Sequence, residues 1–205
     1  MFQVELQQLG KRFNREVIFK DLDYTFFQGK FYAITGSNGS GKSTLLQIIS
    51  GFLLPSKGAV HYSSEEQVVE AEKVYRHLSL ATPYMELIED FTLYELFDFH
   101  FKFRDPRPGY PVDKIIDTAY LTPARDKYVK NFSSGMKQRT KLALALFSAS
   151  DIVLLDEPTT NLDKQGIRWY RDLLEELNSP LVIVASNQEE EYEGCDEVIN
   201  IEDYK

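Results

Sequence analysis

The chain has 205 residues, of which 43% are apolar and 27% charged, and it carries a formal net charge of −9 at neutral pH. A chain of this length can bury one sizeable core, so we expect a single compact domain over 1–205. The acidic balance argues against a broad nucleic-acid-binding face and leaves room only for a local basic patch, because a phosphate backbone attracts clustered Lys and Arg.

Cys195 is the one cysteine of the sequence, which excludes an internal disulfide and a thiolate metal cluster and fits a reducing compartment. No apolar run approaches the ~18 to 20 residues that span a bilayer, and the N-terminus lacks the pattern of a signal peptide. We therefore expect a cytoplasmic protein that reaches a membrane only through a partner.

Two segments near the N-terminus alternate apolar and polar residues, which is the pattern of half-buried strands. The apolar positions are Phe2, Val4 and Leu6 in the first segment and Leu22, Tyr24 and Phe26 in the second. The turn-forming Gly29 closes the second segment, so we predict that this region forms antiparallel strands.

A glycine-rich loop stands between a predicted strand at 30–35 and a predicted helix that ends near Gly51. Its sequence, GSNGSGKS, satisfies the G-x-x-x-x-G-K-[ST] pattern of a phosphate-binding loop, and the flanking elements favour this over a flexible glycine-serine turn. The glycines let N–H groups point inward at an anion, while Lys42 reaches the β- and γ-phosphates and Ser43 ligates Mg²⁺. The candidate nucleotide-binding residues are Gly36, Ser37, Asn38, Gly39, Ser40, Gly41, Lys42, Ser43 and Thr44.

The middle segment, 83–132, contains aromatic clusters, several prolines and amphipathic stretches at 92–101 and 113–120. We predict that it is a mostly helical lobe inserted into the core. An aromatic series in this segment comprises Tyr94, Phe97, Phe99, Phe101 and Phe103. The series exceeds what a small lobe usually buries, so core packing and an exposed docking patch are both open.

Two continuous apolar runs, 151–156 and 181–185, are typical of strands buried on both faces of a parallel sheet. Residues 167–177 place apolar side chains at helical spacing, as a crossover helix requires. The first run ends in Asp156 and Glu157, where the sheet meets its ligand crevice.

A phosphate-binding loop alone would fit kinases, GTPases and many other nucleotide-binding proteins, and the two adjacent carboxylates favour hydrolysis with water as the nucleophile. Asp156 is predicted to hold Mg²⁺ through water, and Glu157 to orient or deprotonate the attacking water. The alternative for each carboxylate is a solvated strand end. The phosphate-binding loop upstream makes the catalytic interpretation the stronger one.

Residues 131–139, NFSSGMKQR, resemble the signature motif of the ATP-binding cassette (ABC) family, usually LSGGQ. Ser133 and Gly135 are kept, and the other three positions are changed. The resemblance implies that Ser133, Ser134 and Gly135 cap the γ-phosphate of ATP held by an opposite subunit, a role that suits a helix N-terminus. The alternative is that Ser133 is an ordinary helix N-cap.

Other landmarks of the family occur in order along the chain. The resemblance implies that Phe13 stacks on adenine, with a core position as the alternative. It also implies that Asn161 and Asp163 belong to the D-loop that crosses the dimer interface, with a turn and an N-cap as the alternative. Two positions depart from the family pattern, since 78–83 lacks the usual glutamine and Asn187 replaces a histidine that contacts the γ-phosphate. An amide keeps a donor but carries no charge, so we expect slow hydrolysis.

The resemblance implies an α/β fold, with a P-loop NTPase core around a mostly parallel sheet, an N-terminal antiparallel β subdomain and an inserted helical subdomain. The core would comprise about 1–82 and 136–205, and the helical and signature subdomain about 83–135. The implied function is that of the ATP-binding and ATP-hydrolysing subunit of an ABC transporter, with ATP and Mg²⁺ as ligands. Its implied partners are a second copy or a related cassette, and separate integral membrane subunits that hold it at the inner face of the membrane; no nucleic acid is expected.

Two other functions fit the same residues. One is a soluble ABC-type ATPase in macromolecular assembly, and the other is a nucleotide-dependent dimerisation switch with weak hydrolysis. The long coiled coils of DNA-maintenance members do not fit, because only about 90 residues separate Lys42 from Ser133. Elsewhere, the acidic run 189–191 is predicted to be a solvated helix face.

Overall fold

The computed structural model describes residues 1–65, 67–177 and 180–205. The strands are β1 (Phe2–Phe13), β2 (Glu16–Phe27), β3 (Phe31–Thr35), β4 (Lys57–Ser64), β5 (Gln67–Val69), β6 (Leu78–Ala81), β7 (Ile152–Asp156), β8 (Leu181–Ala185) and β9 (Glu197–Asn200). The α-helices are α1 (Lys42–Ile49), α2 (Leu93–His100), α3 (Val112–Thr118), α4 (Ser134–Leu146) and α5 (Lys164–Glu175). The strands form two separate sheets.

One sheet has the strand order β2-β1-β4-β5, and its neighbouring strands are antiparallel. In the β1–β2 pair, Val4 is opposite Phe26 and Leu6 is opposite Tyr24. Val4, Leu6 and Phe26 are fully or almost fully buried. Because alternate residues of a strand point to the same side, the alternating pattern buries one face of this sheet. The predicted antiparallel β subdomain is confirmed.

The other sheet has the strand order β6-β7-β8-β3-β9. β8 pairs in parallel with β7 and β3, and β3 pairs in parallel with β9. Every residue of β7 and β8 is buried, as the two continuous apolar runs predicted. The carboxyl ends of parallel neighbours lie at one edge of a sheet, so the segments that follow β3, β7 and β8 leave from that edge.

The chain divides into two compact units. The first comprises Met1–Leu80, Ser150–Glu157 and the described part of 178–205, and it contains nearly all of both sheets together with α1. The second comprises Ala81–Ala149 and Pro158–Leu177, with α2 to α5. The predicted helical subdomain, 83–135, falls inside the second unit, which also includes α4 and α5. The boundaries of the functional subdomains stay a prediction. Within the described ranges, no helix has the length and apolarity needed to cross a membrane.

The aromatic series of the second unit is split between core and surface. Phe97 is fully buried, whereas Phe99 is 41% exposed and Phe103 is 75% exposed. The rings of Phe91, Phe99 and Phe103 form a chain of edge-to-face contacts, with centroids 5.5 Å apart for the first pair and 5.1 Å for the second. Core packing therefore holds for Phe97, whereas Phe99 and Phe103 are exposed and their use as a docking patch stays a prediction.

The His100 imidazole at the end of α2 is held without a charge. Its Nε2 lies 2.9 Å from the Ser148 hydroxyl. That hydroxyl donates to the Leu144 carbonyl, so its oxygen accepts from Nε2. Burial lowers the pKa of His100 to about 4, and the nearby Arg104 charge acts in the same direction.

We predict that His100 makes stability fall as the solution is acidified. The folded chain favours the neutral ring of His100. Its contribution to the free energy of unfolding is therefore complete above pH 6.5, the pKa of histidine in the unfolded chain, and is lost as the pH falls toward about 4. In this window the free energy of unfolding should change by about 1 kcal/mol per pH unit, a value that allows for the partial exposure of the ring. Urea unfolding at several pH values should show a shallower slope for His100→Gln, whereas the control His61→Gln should keep the wild-type slope. Equal slopes in all three proteins would contradict the prediction.

Candidate functional site

The loop between β3 and α1 has a backbone that glycine alone adopts easily. Gly36, Gly39 and Gly41 have φ angles of 142°, 78° and 114°, in the region where an L side chain clashes with its own backbone. Space adds a second restriction, since a Cβ atom on Gly41 would lie 2.5 Å from Cγ2 of Ile18. The pattern of glycines in the sequence is therefore required by the shape of this loop.

The loop presents positive charge on its inner side. α1 begins after Gly41, and within the described residues no side chain caps its N-terminus and no acidic residue lies in its first turn. The first N–H groups of a helix lack partners within the helix, which makes this end suitable for an anion. Lys42 is 5% exposed, and its ammonium donates to the carbonyl oxygens of Gly36 at 2.9 Å and Ser37 at 3.1 Å. The ammonium therefore lies within the curve of the loop.

Asp156 ends β7 and faces this loop. It is 3% exposed, and the Ser43 hydroxyl lies beside its carboxylate. Burial raises the pKa of Asp156 above its usual value; the Glu157 charge raises it further, while Ser43 and Lys42 act in the opposite direction. Among the described residues, no group hydrogen-bonds to its Oδ1. A buried carboxylate oxygen and a neighbouring hydroxyl are oxygen ligands of the kind that Mg²⁺ prefers, so this pair fits the ion.

Glu157 follows with a strained backbone. Its φ is 43°, which is uncommon for a residue with a side chain, and its N–H donates to the Ala185 carbonyl at 2.9 Å. This hydrogen bond ties the end of β7 to the end of β8. Strained residues that persist in folded proteins are concentrated at functional sites, which agrees with a catalytic position for Glu157.

Asn187 lies two residues beyond β8 and reaches the phosphate-binding loop. Its side-chain amide nitrogen donates to the side-chain oxygen Oδ1 of Asn38 at 3.0 Å. The structure therefore places Asn187 beside the loop, where the family resemblance put it. Its effect on hydrolysis stays a prediction.

Glu191 corrects one expectation from the sequence. The run 189–191 was predicted to be a solvated helix face, but it forms a single 3₁₀ turn in which Glu191 is 1% exposed. A 3₁₀ helix has three residues per turn, so one residue of such a short segment points inward while the other two stay in water. The Glu191 charge contributes to raising the pKa of Asp156. Glu191 is therefore a buried carboxylate and not part of a solvated face.

The signature residues lie in the second unit, at the start of α4. Ser133 is the N-cap of this helix, and its hydroxyl oxygen accepts from the Met136 N–H at 3.3 Å. Ser134 begins the helix, and a Cβ atom on Gly135 would lie 3.0 Å from the Asn161 carbonyl oxygen. The signature and the D-loop are thus in close contact within this unit.

Asp163 caps α5 and also joins it to α4. Its carboxylate accepts from the Gly166 N–H at 2.7 Å and from the Arg139 guanidinium at 3.0 Å. The N-cap alternatives proposed for Ser133 and Asp163 are both confirmed, and their roles across a dimer interface stay predictions.

Phe13 lies at the end of β1 and is 46% exposed, which excludes a core position. The Lys11 ammonium lies 4.9 Å from the centroid of its ring. An exposed ring at this place leaves area for stacking on a flat ligand.

Comparison with known proteins assigns the chain to a family. The family model described as "ABC transporter" matches residues 19–160, which include the phosphate-binding loop, the signature segment and Glu157. The chain belongs to the ABC transporter family. The family assignment and the predicted ATPase activity are thereby confirmed.

Relatives in this family match almost the whole chain. It is 30% identical to the ABC transporter ATP-binding protein YybJ of Bacillus subtilis, over 92% of this chain and 87% of that protein. It is also 30% identical to the sulfate/thiosulfate import ATP-binding protein CysA of Synechococcus elongatus, over 96% of this chain and 59% of that protein.

Solved ABC cassettes share the fold. A putative ABC transporter ATP-binding protein from Pyrococcus furiosus superposes with a TM-score of 0.82 at 23% identity, and the match covers 99% of each chain. The bacterial cassette MJ0796, solved as a dimer, superposes with a TM-score of 0.81 at 24% identity, over 97% of this chain and 94% of that one. The predicted α/β fold is confirmed.

We predict that Gly41→Ala weakens ATP binding roughly tenfold or more, because the added Cβ atom meets Ile18 and the backbone is strained. Gly39→Ala is the matched control: its φ is also positive, but within the described residues no heavy atom lies within 4 Å of the new Cβ atom. Titration with a fluorescent ATP analogue should show a smaller loss for the control. If both variants lose the same affinity, the contact with Ile18 does not restrict the loop.

Proposed function

We propose that this chain is the ATP-binding subunit that powers an ABC transporter, and that it binds ATP together with Mg²⁺. The observation that carries the proposal is the position of the Asp156 carboxylate beside the Ser43 hydroxyl and the inward-pointing Lys42 ammonium. It brings a phosphate-binding loop and an acidic strand end to one point, as hydrolysis of a nucleoside triphosphate requires. Magnesium, held by Ser43 and Asp156, would neutralise phosphate charge at this point.

The protein groups have separate parts in the reaction. The Lys42 ammonium exchanges loop carbonyls for the β- and γ-phosphate oxygens, and the N-terminal N–H groups of α1 support the same charge. Glu157 orients the attacking water and accepts its proton. Asn187 donates near the γ-phosphate, and Phe13 stacks on the adenine ring.

Two copies of the chain, or this chain and a related cassette, would complete each ATP site. In this arrangement Ser133, Ser134 and Gly135 of one subunit cap the nucleotide held by the loop of the other, and Asn161 and Asp163 lie at the interface. The dimeric form of the MJ0796 cassette supports this assembly.

Membrane subunits of the transporter are the second kind of partner, and they would hold the chain at the cytoplasmic face of the membrane. The exposed rings of Phe99 and Phe103 provide an apolar patch for one segment of such a subunit. Closure of the ATP dimer would then move the bound membrane subunits, and hydrolysis would release the dimer.

The proposal predicts different losses for two variants. Lys42→Ala should lower ATP affinity roughly 100-fold, because it removes the cation from the phosphates. Glu157→Gln should keep ATP affinity within about threefold but lower turnover roughly 100-fold or more, because the base is lost. Calorimetric ATP titration and a phosphate-release assay measure the two quantities. Unchanged ATP affinity in Lys42→Ala would refute the site, and unchanged turnover in Glu157→Gln would favour a dimerisation switch.

The replacement of histidine by Asn187 gives a further prediction. Asn187→His should raise the rate of ATP hydrolysis about tenfold, because an imidazole adds a donor that can carry charge. Asn187→Ala, which removes the donor, should hydrolyse ATP no faster than wild type. The comparison needs steady-state rates at saturating ATP, and a histidine variant no faster than wild type would show that position 187 does not limit turnover.

A further inference from the structure

The turn that follows β9 touches the phosphate-binding loop. This turn is a 3₁₀ segment, Ile201–Tyr204, which directly follows β9. One carboxylate oxygen of Glu202 accepts two hydrogen bonds from Ser37, from its hydroxyl at 2.5 Å and from its backbone N–H at 3.4 Å. These bonds hold the pKa of Glu202 below its usual value. Ser37 is the second residue of the loop, so the contact is made at the point where the chain leaves β3.

Apolar packing supports the same contact. Ile201 is fully buried. A Cβ atom on Gly36 would lie 2.9 Å from Cγ2 of Ile201, and a Cβ atom on Gly41 would lie 3.9 Å from its Cγ1. The turn therefore packs against both ends of the glycine-rich loop.

The position of the turn is itself fixed by the sheet. β9 pairs in parallel with β3, with Ile34 opposite Ile199 and Thr35 opposite Asn200. The side-chain oxygen of Asn200 accepts from the Glu202 N–H at 3.1 Å. The strands thus deliver the turn and the loop to the same edge.

The negative charge of Glu202 is unfavourable beside a site that binds phosphate. A carboxylate beside a triphosphate site repels the ligand, although the exposure of Glu202 and its ion pair with Lys205 at 3.8 Å weaken the repulsion. A loop of three glycines, in contrast, has many conformations to lose before it binds phosphate. Two hydrogen bonds to a charged acceptor restrict that freedom before the ligand arrives.

We propose that Glu202 is a positioning residue for the nucleotide site: through Ser37 it holds the phosphate-binding loop in its binding conformation, so ATP affinity depends on a carboxylate that repels ATP. The proposal rests on the nucleotide binding proposed above. When the carboxylate is removed, loss of pre-organisation would lower ATP affinity, whereas loss of repulsion would raise it. The direction of the change in affinity therefore decides between them.

The test compares three variants by calorimetric titration with ATP and Mg²⁺. Glu202→Ala removes both the acceptor and the charge and should weaken binding roughly tenfold. Glu202→Gln keeps a carbonyl acceptor without the charge and should bind within about twofold of wild type or more tightly. The matched control, Asp203→Ala, removes an equal charge one residue away and should not weaken binding. A Glu202→Ala protein that binds ATP as tightly as wild type, or more tightly, would overturn the proposal.

Hydrogen exchange without nucleotide separates this proposal from the proposed function. The amides of 36–41 should exchange faster in Glu202→Ala than in wild type and in Asp203→Ala, since the loop has lost its restraint. Thermal melting should show that Glu202→Ala stays folded, as expected for an exposed side chain. If the wild type fails to bind ATP but the loop of Glu202→Ala still exchanges faster, the nucleotide site is refuted and the restraint of the loop by Glu202 is supported. Equal exchange in all three proteins would refute the restraint itself.

Discussion

The backbone of the glycine-rich loop between β3 and α1 is the constraint on which the rest of the site depends. Its positive φ angles are open to glycine at little cost, and Ile18 and Ile201 leave no room for a side chain at Gly36 or Gly41. The same curvature lets the Lys42 ammonium reach back to the loop carbonyls. A loop of any other shape would place the start of α1 and the lysine in different positions.

The parallel sheet then brings the other parts of the chemistry to this loop. β7 carries Asp156 and Glu157, and β8 leads to Asn187, because the carboxyl ends of β3, β7 and β8 share one edge. Three hydrogen bonds connect the segments at this edge: the Glu157 N–H to Ala185, Asn187 to Asn38, and Ser37 to Glu202. The site is therefore assembled from segments far apart in sequence, each fixed by strand pairing.

The sequence predicted those elements of the fold whose hydrophobic pattern lies within a single segment. Continuous apolar runs predicted β7 and β8 and alternation predicted β1 and β2, because these patterns follow from which faces are buried. β9 is a short, mostly exposed edge strand and gives no such pattern. The contact of Glu202 with Ser37 could not be predicted for a related reason. It depends on the pairing of β9 with β3, and Ser37 and Glu202 are 165 positions apart. The burial of Glu191 could not be predicted either. A short acidic run in a sequence is the same whether its last residue faces water or the core.

The signature serine shows that a structural and a functional interpretation can hold for one side chain. As the N-cap of α4, Ser133 uses an oxygen lone pair to accept from the Met136 N–H. A hydroxyl has a second lone pair and one hydrogen to donate, so this cap leaves its donor for the nucleotide phosphate that we propose it binds across a dimer interface. The cap also fixes the serine at a helix N-terminus, where an anion is favoured. Asp163 differs, because a carboxylate only accepts, and its bonds to Gly166 and Arg139 occupy one oxygen. Across a dimer interface it would therefore receive hydrogen bonds, whereas Ser133 would donate one.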